Sequence, residues 1–341
     1  MDLMIQMRPI MKPKSKSKLP LILGIVAVFA IASGCHRAGS YRALSQAVES
    51  PAQGAKVVAV YVPWFGDPEH INVGYSTDDP AVLRRQIAKA EDLGIQVFAV
   101  DWYGERRPFL DHSYALMQQV ASQSHFKVAL MYDETEEDNG QATDESLAAM
   151  AKAYEAYLRP GASGRNAYLE YNGRPVIFIF PKRGGTDWNR VRAQVNKWPV
   201  PPLLFYKDDP PPQYANAFDG NYAWVHPSKA WARDGSDWGK EYLEAFYKKM
   251  ESRSDKIAVG TAWPGFDDTK ASWSLDRHID ERCGKTFEDT LRLFHFYNQV
   301  RPMPFLMIAT WNDYEEGTAI ESGVGRKCGG LATNRPHRDG F

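Results

Sequence analysis

The sequence predicts an α/β protein of the (β/α)8 TIM-barrel class, folded as a single domain over residues 55–325. Eight short apolar runs rich in Val, Ile, Leu and Phe follow one another, as expected for parallel strands buried on both faces. Amphipathic stretches separate the runs, and a barrel of roughly 250 residues fits within the 341 residues of the chain. An open doubly wound sheet is the alternative, but the Gly-rich turn that binds dinucleotide phosphates in such folds is missing.

The N-terminus has the pattern of a lipoprotein signal peptide over residues 1–34. Basic residues at 11–18 precede "LPLILGIVAVFAI", whose 13 residues are fewer than the ~20 that a membrane-spanning helix needs. The run ends in "ASGC", which resembles a lipobox and makes Cys35 the acylated residue, although Ala32 stands where Leu is usual. An ordinary cleaved signal and an uncleaved anchor are the alternatives.

A lipid anchor at Cys35 implies an exported protein attached to a membrane, in the periplasm or at the cell surface. Residues 35–54 are small and polar and are expected to form a tether. Residues 326–341 are expected to be a poorly ordered tail. A disulfide between Cys283 and Cys328 is permitted in an oxidising compartment, and two unpaired thiols are the alternative.

The elements follow in order along the barrel segment. The predicted strands lie at 57–66, 95–104, 127–134, 174–182, 201–208, 217–227, 256–268 and 304–313. Asp79 as N-cap, Pro80 at the first position and Gly94 as a stop define the first helix. Further helices are predicted at 144–158 and 288–300, and a hairpin at 168–175 through Asn172-Gly173.

Aromatic and acidic side chains concentrate where the predicted strands end, which is where barrel enzymes carry their chemistry. Aromatic faces suit the C–H faces of sugar rings, and two carboxyl groups are the minimal apparatus for cleaving a glycosidic bond. The simpler explanation is that the acids cap helices and the aromatic rings plug the barrel mouth. The candidate substrate-binding residues are Tyr61, Trp64, Asp101, Trp102, Tyr103, Tyr132, Asp133, Glu134, Tyr222, Trp224, His226, Trp263, Trp311 and Asn312. The same strand ends also carry Lys182, Lys207 and Asp208, to which we assign no role.

Composition and motifs disfavour several other functions. The net charge is −1 and no basic block occurs after residue 18, so no nucleic-acid partner is expected. No G-x-S-x-G or H-E-x-x-H motif is present. The acidic stretches "YDETEED" and "GFDD" could hold Ca²⁺, but solvated acidic loops are commoner, so no metal and no cofactor are predicted.

Five stretches, in order, resemble the glycoside hydrolase family 71/99-like barrels, which include endo-α-mannosidases and endo-α-mannanases. They are "YVPWFG", "YSTDDPAVLRRQIAKAEDLGIQVFAVDWYG", "WPGFDD", "RHIDERCGKTFED" and "TWNDYEEGTAIE". The family form of the last motif is W-N-E-W-H-E-G-T-x-I-E. Its first Glu acts as general base and its second as general acid/base, on a retaining route through an anhydrosugar. The resemblance therefore implies Asp313 and Glu316 as the catalytic pair.

The chain departs from this motif at three positions. Asp313 is one methylene shorter than the family Glu, Tyr314 replaces Trp, and Glu315 replaces His and adds a competing acid. Strand alternation would pair Asp313 with Glu315, because residues two apart point the same way. A turn that begins near Asn312 would instead bring Asp313 and Glu316 together, because residues three apart share a face of a helical turn.

The expected function is that of a glycoside hydrolase acting endo on an α-linked polysaccharide, either an α-mannan or an α-glucan. Related α-1,3-glucanases leave the sugar open. The alternatives are a catalytically inactive glycan-binding surface lipoprotein and a protein of surface-polysaccharide assembly.

Lipidation at Cys35 is testable by metabolic labelling with a fatty-acid analogue in a bacterial host. The wild-type protein should incorporate the label and Cys35→Ser should not, because the acyl groups are attached at that cysteine. Equal labelling of both proteins would contradict the assignment.

Overall fold

The computed structural model describes residues 54–135, 140–183, 185–227 and 237–321. The predicted signal peptide, Cys35, the tether up to residue 53, the tail and Cys328 therefore lie outside the described residues. Within those four ranges, no helix is long and apolar enough to cross a membrane.

Eleven strands and six α-helices are formed by the described part of the chain. The strands are β1 (Lys56–Tyr61), β2 (Val97–Trp102), β3 (Lys127–Asp133), β4 (Glu170–Tyr171), β5 (Arg174–Phe180), β6 (Leu203–Lys207), β7 (Gly220–Tyr222), β8 (Ile257–Ala262), β9 (Phe266–Asp267), β10 (His278–Ile279) and β11 (Phe305–Ile308). The helices are α1 (Pro80–Asp92), α2 (Pro108–Ala121), α3 (Ala142–Ala153), α4 (Trp188–Val195), α5 (Lys240–Glu251) and α6 (Lys285–Val300).

Eight of the strands form a closed parallel barrel, which confirms the predicted fold class. Their order around the barrel is β1, β2, β3, β5, β6, β7, β8 and β11, and β11 pairs again with β1. Lys56 lies opposite Phe305 where the last strand meets the first, and Leu130 lies opposite Ile177 where β3 meets β5. Each predicted apolar run contains one of these eight strands.

The connections between strands follow the predicted signals in most places. Asp79 caps α1 by accepting a hydrogen bond from Ala81 N at 2.7 Å, and Pro80 is its first residue. The predicted hairpin is the antiparallel pair β4–β5, with positive φ at Asn172 and Gly173. Between β6 and β7 a short 3-10 helix at Pro212–Ala217 stands in place of an α-helix.

Alternation along the strands divides the core into two layers. Inward-facing residues such as Val58, Val60 and Phe178 fill the barrel interior. Outward-facing residues such as Ala59 and Tyr61 pack against the surrounding helices. Because side chains alternate strictly along a strand, the face of each mouth residue is set by its position in the strand.

The α1 cap gives a test of local stability. Replacing Asp79 by Ala should lower the free energy of unfolding by about 1 kcal/mol, because the N–H of Ala81 loses its acceptor. Asp79→Ser keeps a capping oxygen and should stay close to the wild type in the same urea titration. Equal losses in the two variants would show that the cap does not stabilise the helix.

Candidate active site

A cavity of about 1580 Å³ opens at the carboxyl ends of the barrel strands. This volume exceeds the roughly 300–1,000 Å³ of typical small-ligand sites, so the cavity has room for an extended ligand. Its wall comes from strand ends and from the loops that follow them.

Six residues in the wall continue the inward-facing positions of their strands. Each of them lies two residues beyond a side chain that fills the barrel interior. They are Val62, Asp101, Asp133, Phe180, Lys207 and Trp224. Strand alternation therefore determines which side chains of the mouth can contact a ligand.

Two buried carboxyl groups and a lysine form one side of the cavity. Lys182 Nζ lies 3.2 Å from a carboxylate oxygen of Asp133, whose Oδ1 has no hydrogen-bond partner among the described residues. Burial raises the pKa of Asp133 to about 6, while Lys182 opposes the rise. The pKa of Asp101 is also raised, by burial and then by the Asp133 charge, and the Tyr103 hydroxyl hydrogen-bonds to Asp101.

Lys207 stands over an aromatic ring in the same wall. Its Nζ lies 3.7 Å from the centroid of the Phe180 ring, and Lys182 Nζ lies 5.1 Å from it. Burial lowers the pKa of Lys207. The ring face therefore offsets part of the desolvation of a lysine that lies inside the cavity.

The chain turns at Asp313, five residues after Ile308, the last residue of β11. Asp313 Oδ1 accepts hydrogen bonds from Glu315 N at 3.0 Å and Glu316 N at 2.8 Å. The Asp313 carbonyl accepts from Thr318 N at 3.0 Å, which closes the turn. Asp313 and Glu316 both line the cavity, and Glu315 does not. The arrangement is the one expected for a turn rather than for a continued strand.

Glu315 and Glu316 have different partners. The Glu315 carboxylate is buried and lies 2.8 Å from His70 Nδ1, and it accepts a hydrogen bond from Ile71 N at 3.1 Å. Both partners belong to the loop between β1 and α1. Glu316 is partly exposed in the cavity and accepts a hydrogen bond from Trp273 Nε1 at 3.1 Å.

Burial raises the pKa of both Asp313 and Glu316. At Asp313 the next cause is the Glu316 charge, and the two backbone N–H donors act in the opposite direction. At Glu316 the Trp273 indole and the Arg277 and Lys182 charges oppose the rise. Two neighbouring carboxyl groups with raised pKa values favour a state in which one holds a proton and the other is ionised.

Seven of the predicted substrate-binding residues do not line the cavity: Tyr61, Trp102, Tyr132, Tyr222, Trp263, Trp311 and Asn312. All seven are fully buried or nearly so. Tyr61, Trp102 and Tyr132 occupy outward-facing strand positions and lie between the barrel and its helices. Their polar atoms bond there, for example Trp102 Nε1 to Asp111 at 3.0 Å.

The other four pack inside the structure. The Tyr222 hydroxyl donates to the Ile179 carbonyl at 2.9 Å, and Trp263 Nε1 donates to the Trp238 carbonyl at 3.1 Å. Trp311 packs against Phe98 with ring centroids 5.4 Å apart. Asn312 joins the ends of two strands, accepting from Val62 N at 2.8 Å and donating to the Val62 carbonyl at 3.0 Å. These buried residues support the cavity wall but do not line the cavity.

The remaining candidates lie on the cavity wall: Trp64, Asp101, Tyr103, Asp133, Glu134, Trp224 and His226. The Glu134 carboxylate accepts hydrogen bonds from Lys182 N at 3.0 Å and Thr186 N at 3.1 Å, so it positions the loop after β5. Sequence reasoning assigned no role to Lys207, Trp273 or His70. Strand alternation could have identified Lys207, whereas the other two are contributed by loops.

No group of three or more His, Cys, Asp or Glu side chains within residues 54–135, 140–183, 185–227 and 237–321 is placed to hold a metal ion. The acids of "GFDD" have partners within the protein. Asp268 accepts from Arg277 Nε at 2.8 Å, and Asp267 accepts from Thr269 N at 3.0 Å.

Comparisons with known proteins place this geometry in context. A sequence model of glycosyl hydrolase family 71 matches residues 72–323. No curated protein matches the chain. The GH99 endo-alpha-mannosidase from Bacteroides thetaiotaomicron, in complex with bis-tris propane, shares 18% identity over 82% of this chain and 91% of its own, with a TM-score of 0.58. A second structure of that protein gives 17% identity, 82% and 92% coverage and a TM-score of 0.57.

A protein described as glycoside hydrolase-like shares 14% identity over 79% of this chain and 87% of its own, with a TM-score of 0.56. At these identities the three structures establish a shared fold. The match to the family model covers most of the chain.

The raised pKa of Asp313 predicts a pH-dependent penalty on stability. Above the usual value of 3.8 and below the raised folded value, the native Asp313–Glu316 pair keeps a proton that the unfolded chain has lost. The free energy of unfolding therefore falls as pH rises through this window. Asp313→Asn keeps an acceptor for the two backbone N–H groups, so its stability relative to the wild type should increase as the pH rises above about 4.

Denaturant titrations at several pH values measure this difference. Asp92→Asn, which removes an exposed carboxylate at the end of α1, is the control for loss of a surface charge. A stability difference between Asp313→Asn and the wild type that is constant with pH would contradict the prediction.

Proposed function

We propose that this chain, which belongs to glycosyl hydrolase family 71, cleaves an α-linked polysaccharide at internal bonds with Asp313 and Glu316 as its catalytic carboxyl groups. As a member of that family it is a glycoside hydrolase. The observation that carries the assignment is the turn after β11, which presents these two acids, and not Glu315, to a large cavity.

The α-linkage and the internal cleavage are supported by the fold. The barrel is similar over most of its length to a protein described as an endo-alpha-mannosidase. The large cavity with aromatic and acidic side chains in its wall suits a chain of sugars. An α-mannan and an α-glucan are the two substrate classes that we propose.

Glu316 is the proposed general acid. Its carboxyl group needs a proton at the pH of the reaction, and burial raises its pKa in that direction. Its proton would pass to the glycosidic oxygen as the bond to the leaving sugar breaks. Glu316 is the more exposed member of the pair, so it can reach a ligand in the cavity.

Asp313 is the proposed base. Two backbone N–H groups donate to its carboxylate, whereas Glu316 receives one indole N–H. Hydrogen bonds donated to a carboxylate favour its ionised form. When the pair holds a single proton, we propose that these donors place the negative charge on Asp313, against the opposing effect of the Arg277 and Lys182 charges at Glu316.

We also propose that Cys35 anchors the enzyme to a membrane. The tether and the barrel would then face an extracytoplasmic compartment, and the substrate would be a glycan available there. The basic segment, apolar run and "ASGC" of the N-terminus support this location.

The three acids of the turn can be separated by isosteric substitutions. Glu316→Gln and Asp313→Asn should each lower the turnover rate by about 10²- to 10⁴-fold, the usual effect of removing a general acid or base. Glu315→Gln should lose far less, because its side chain contacts His70 and Ile71 behind the cavity. Sugar release from a panel of α-mannans and α-glucans measures the rates.

The pairing is wrong if Glu315→Gln is the inactive variant and Glu316→Gln keeps near-normal turnover. Absence of sugar release by the wild type, with binding to one of the glycans retained, would support a glycan-binding role in place of hydrolysis. Unfolding midpoints of the three variants that are no lower than that of the wild type would show that the rates report on chemistry.

A further inference from the structure

The loop between β9 and β10 carries an exposed indole beside the candidate acid. Trp273 is 40% exposed and Leu275 is 61% exposed, although both are large apolar side chains. Both line the cavity together with Glu316. Exposed apolar side chains that cluster at the edge of a cavity mark a ligand-binding groove more often than single ones do.

The loop is built around one buried carboxylate. Asp268 is fully buried and accepts hydrogen bonds from Ser274 Oγ at 3.0 Å, Leu275 N at 3.1 Å and Arg277 N at 2.9 Å. Arg277 Nε adds a fourth bond at 2.8 Å. These bonds lower the pKa of Asp268. Trp273 therefore lies on a loop whose conformation is fixed by hydrogen bonds to the buried Asp268 carboxylate.

The same loop is joined to the turn that carries Glu316. Asp267 N donates to the Glu316 carbonyl at 2.8 Å. Gly317, at φ +65°, brings the two backbones so close that a Cβ would lie 3.1 Å from Asp267 N. Trp273 Nε1 completes the connection by donating to Glu316 Oε1 at 3.1 Å. The indole thus has a defined position relative to the carboxyl group.

Other rings surround the indole on the cavity side. The Trp64 and Trp273 centroids are 6.0 Å apart at 76°, and His70 stacks on Trp64 at 4.7 Å. Trp64 lies on the cavity wall, and its Nε1 is buried without a hydrogen-bond partner among the described residues. A sugar at this place would meet an aromatic face and an indole N–H that can donate to a hydroxyl group.

We propose that Trp273 is the platform of a binding subsite for the sugar on the leaving-group side of the cleaved bond. The proposal rests on the function proposed above, because the side is set by Glu316. A general acid lies next to the glycosidic oxygen that departs with the leaving sugar. Because Trp273 is the neighbour of Glu316, the sugar that packs on Trp273 is the one that carries this oxygen. A platform there means that the enzyme requires a sugar beyond the cleaved bond.

An α-glycosyl fluoride tests this assignment, because its leaving group is not a sugar. Hydrolysis breaks the anomeric C–F bond, adds water at that carbon and releases fluoride and a proton. The probe is the α-fluoride of the oligosaccharide that the wild type releases from its polysaccharide, so both substrates fill the opposite side of the site equally.

Trp273→Ala should lower kcat/KM on the polysaccharide by about 10- to 100-fold, the range expected when a large aromatic anchor is truncated. On the fluoride it should lose no more than Trp273→Phe loses on the same probe, because no sugar occupies the subsite and both variants lack the N–H that reaches Glu316. Trp273→Phe is the matched control: it keeps an aromatic face but lacks the N–H that reaches Glu316. It should retain most of the activity on the polysaccharide and change the pH profile instead.

Two results would overturn the subsite. One is an unchanged kcat/KM of Trp273→Ala on the polysaccharide. The other is an equal loss on both substrates with an unchanged unfolding midpoint, which would show that Trp273 acts only through Glu316. Failure of the proposed function itself is a separate result, since the wild type would then release no sugar from any of the polysaccharides.

Discussion

The candidate site depends on the carboxylate of Asp313, which accepts two backbone hydrogen bonds from the residues that follow it. These bonds form a turn five residues after the end of β11. Without the turn, alternation would direct Glu315 to the side of Asp313 and Glu316 away from it. A side chain proposed to take part in the reaction therefore also determines which other acid can take part.

Much of this arrangement follows from sequence patterns with a known period. Apolar runs separated by amphipathic helices predict the barrel, and Asp79 and Pro80 predict the start of α1. The acid-rich run after an apolar strand, with Gly317 at its end, predicts a turn. Strand alternation also gives the correct face for Trp102 and Tyr132, whereas their position at a strand end alone wrongly predicts that they line the cavity. Asp101 and Asp133 face inward, so their immediate neighbours have to face the helices.

Contacts made by loop residues could not be predicted from the sequence, because loops have no regular spacing of side chains. His70 reaches Glu315 across 245 positions of the chain, and Trp273 reaches Glu316 across 43. Both contacts depend on how a loop folds back over the mouth. Asp268 illustrates the difficulty, because the "GFDD" stretch suggested oxygen ligands for a cation. In the structure this carboxylate accepts hydrogen bonds from four backbone or side-chain groups of residues 274–277, and it shapes the loop.

The surroundings of the three acids of the turn separate Glu315, which contacts the loop between β1 and α1, from Asp313 and Glu316, which line the cavity. The Glu315 carboxylate contacts His70 and accepts a hydrogen bond from Ile71 N, and it does not line the cavity, so the cavity receives two carboxyl groups from the turn rather than three. The acidity of those two is a balance between burial, which raises both pKa values, and donors and cations, which lower them.

The β9–β10 loop contributes to both sides of this balance. It covers Glu316 and so removes water, and it also supplies the Trp273 N–H and the Arg277 charge. A loop that moved away would hydrate Glu316 and withdraw its donors at once. The hydrogen bonds to Asp268 that hold the loop therefore help to set the proton affinity of an acid that Asp268 does not contact.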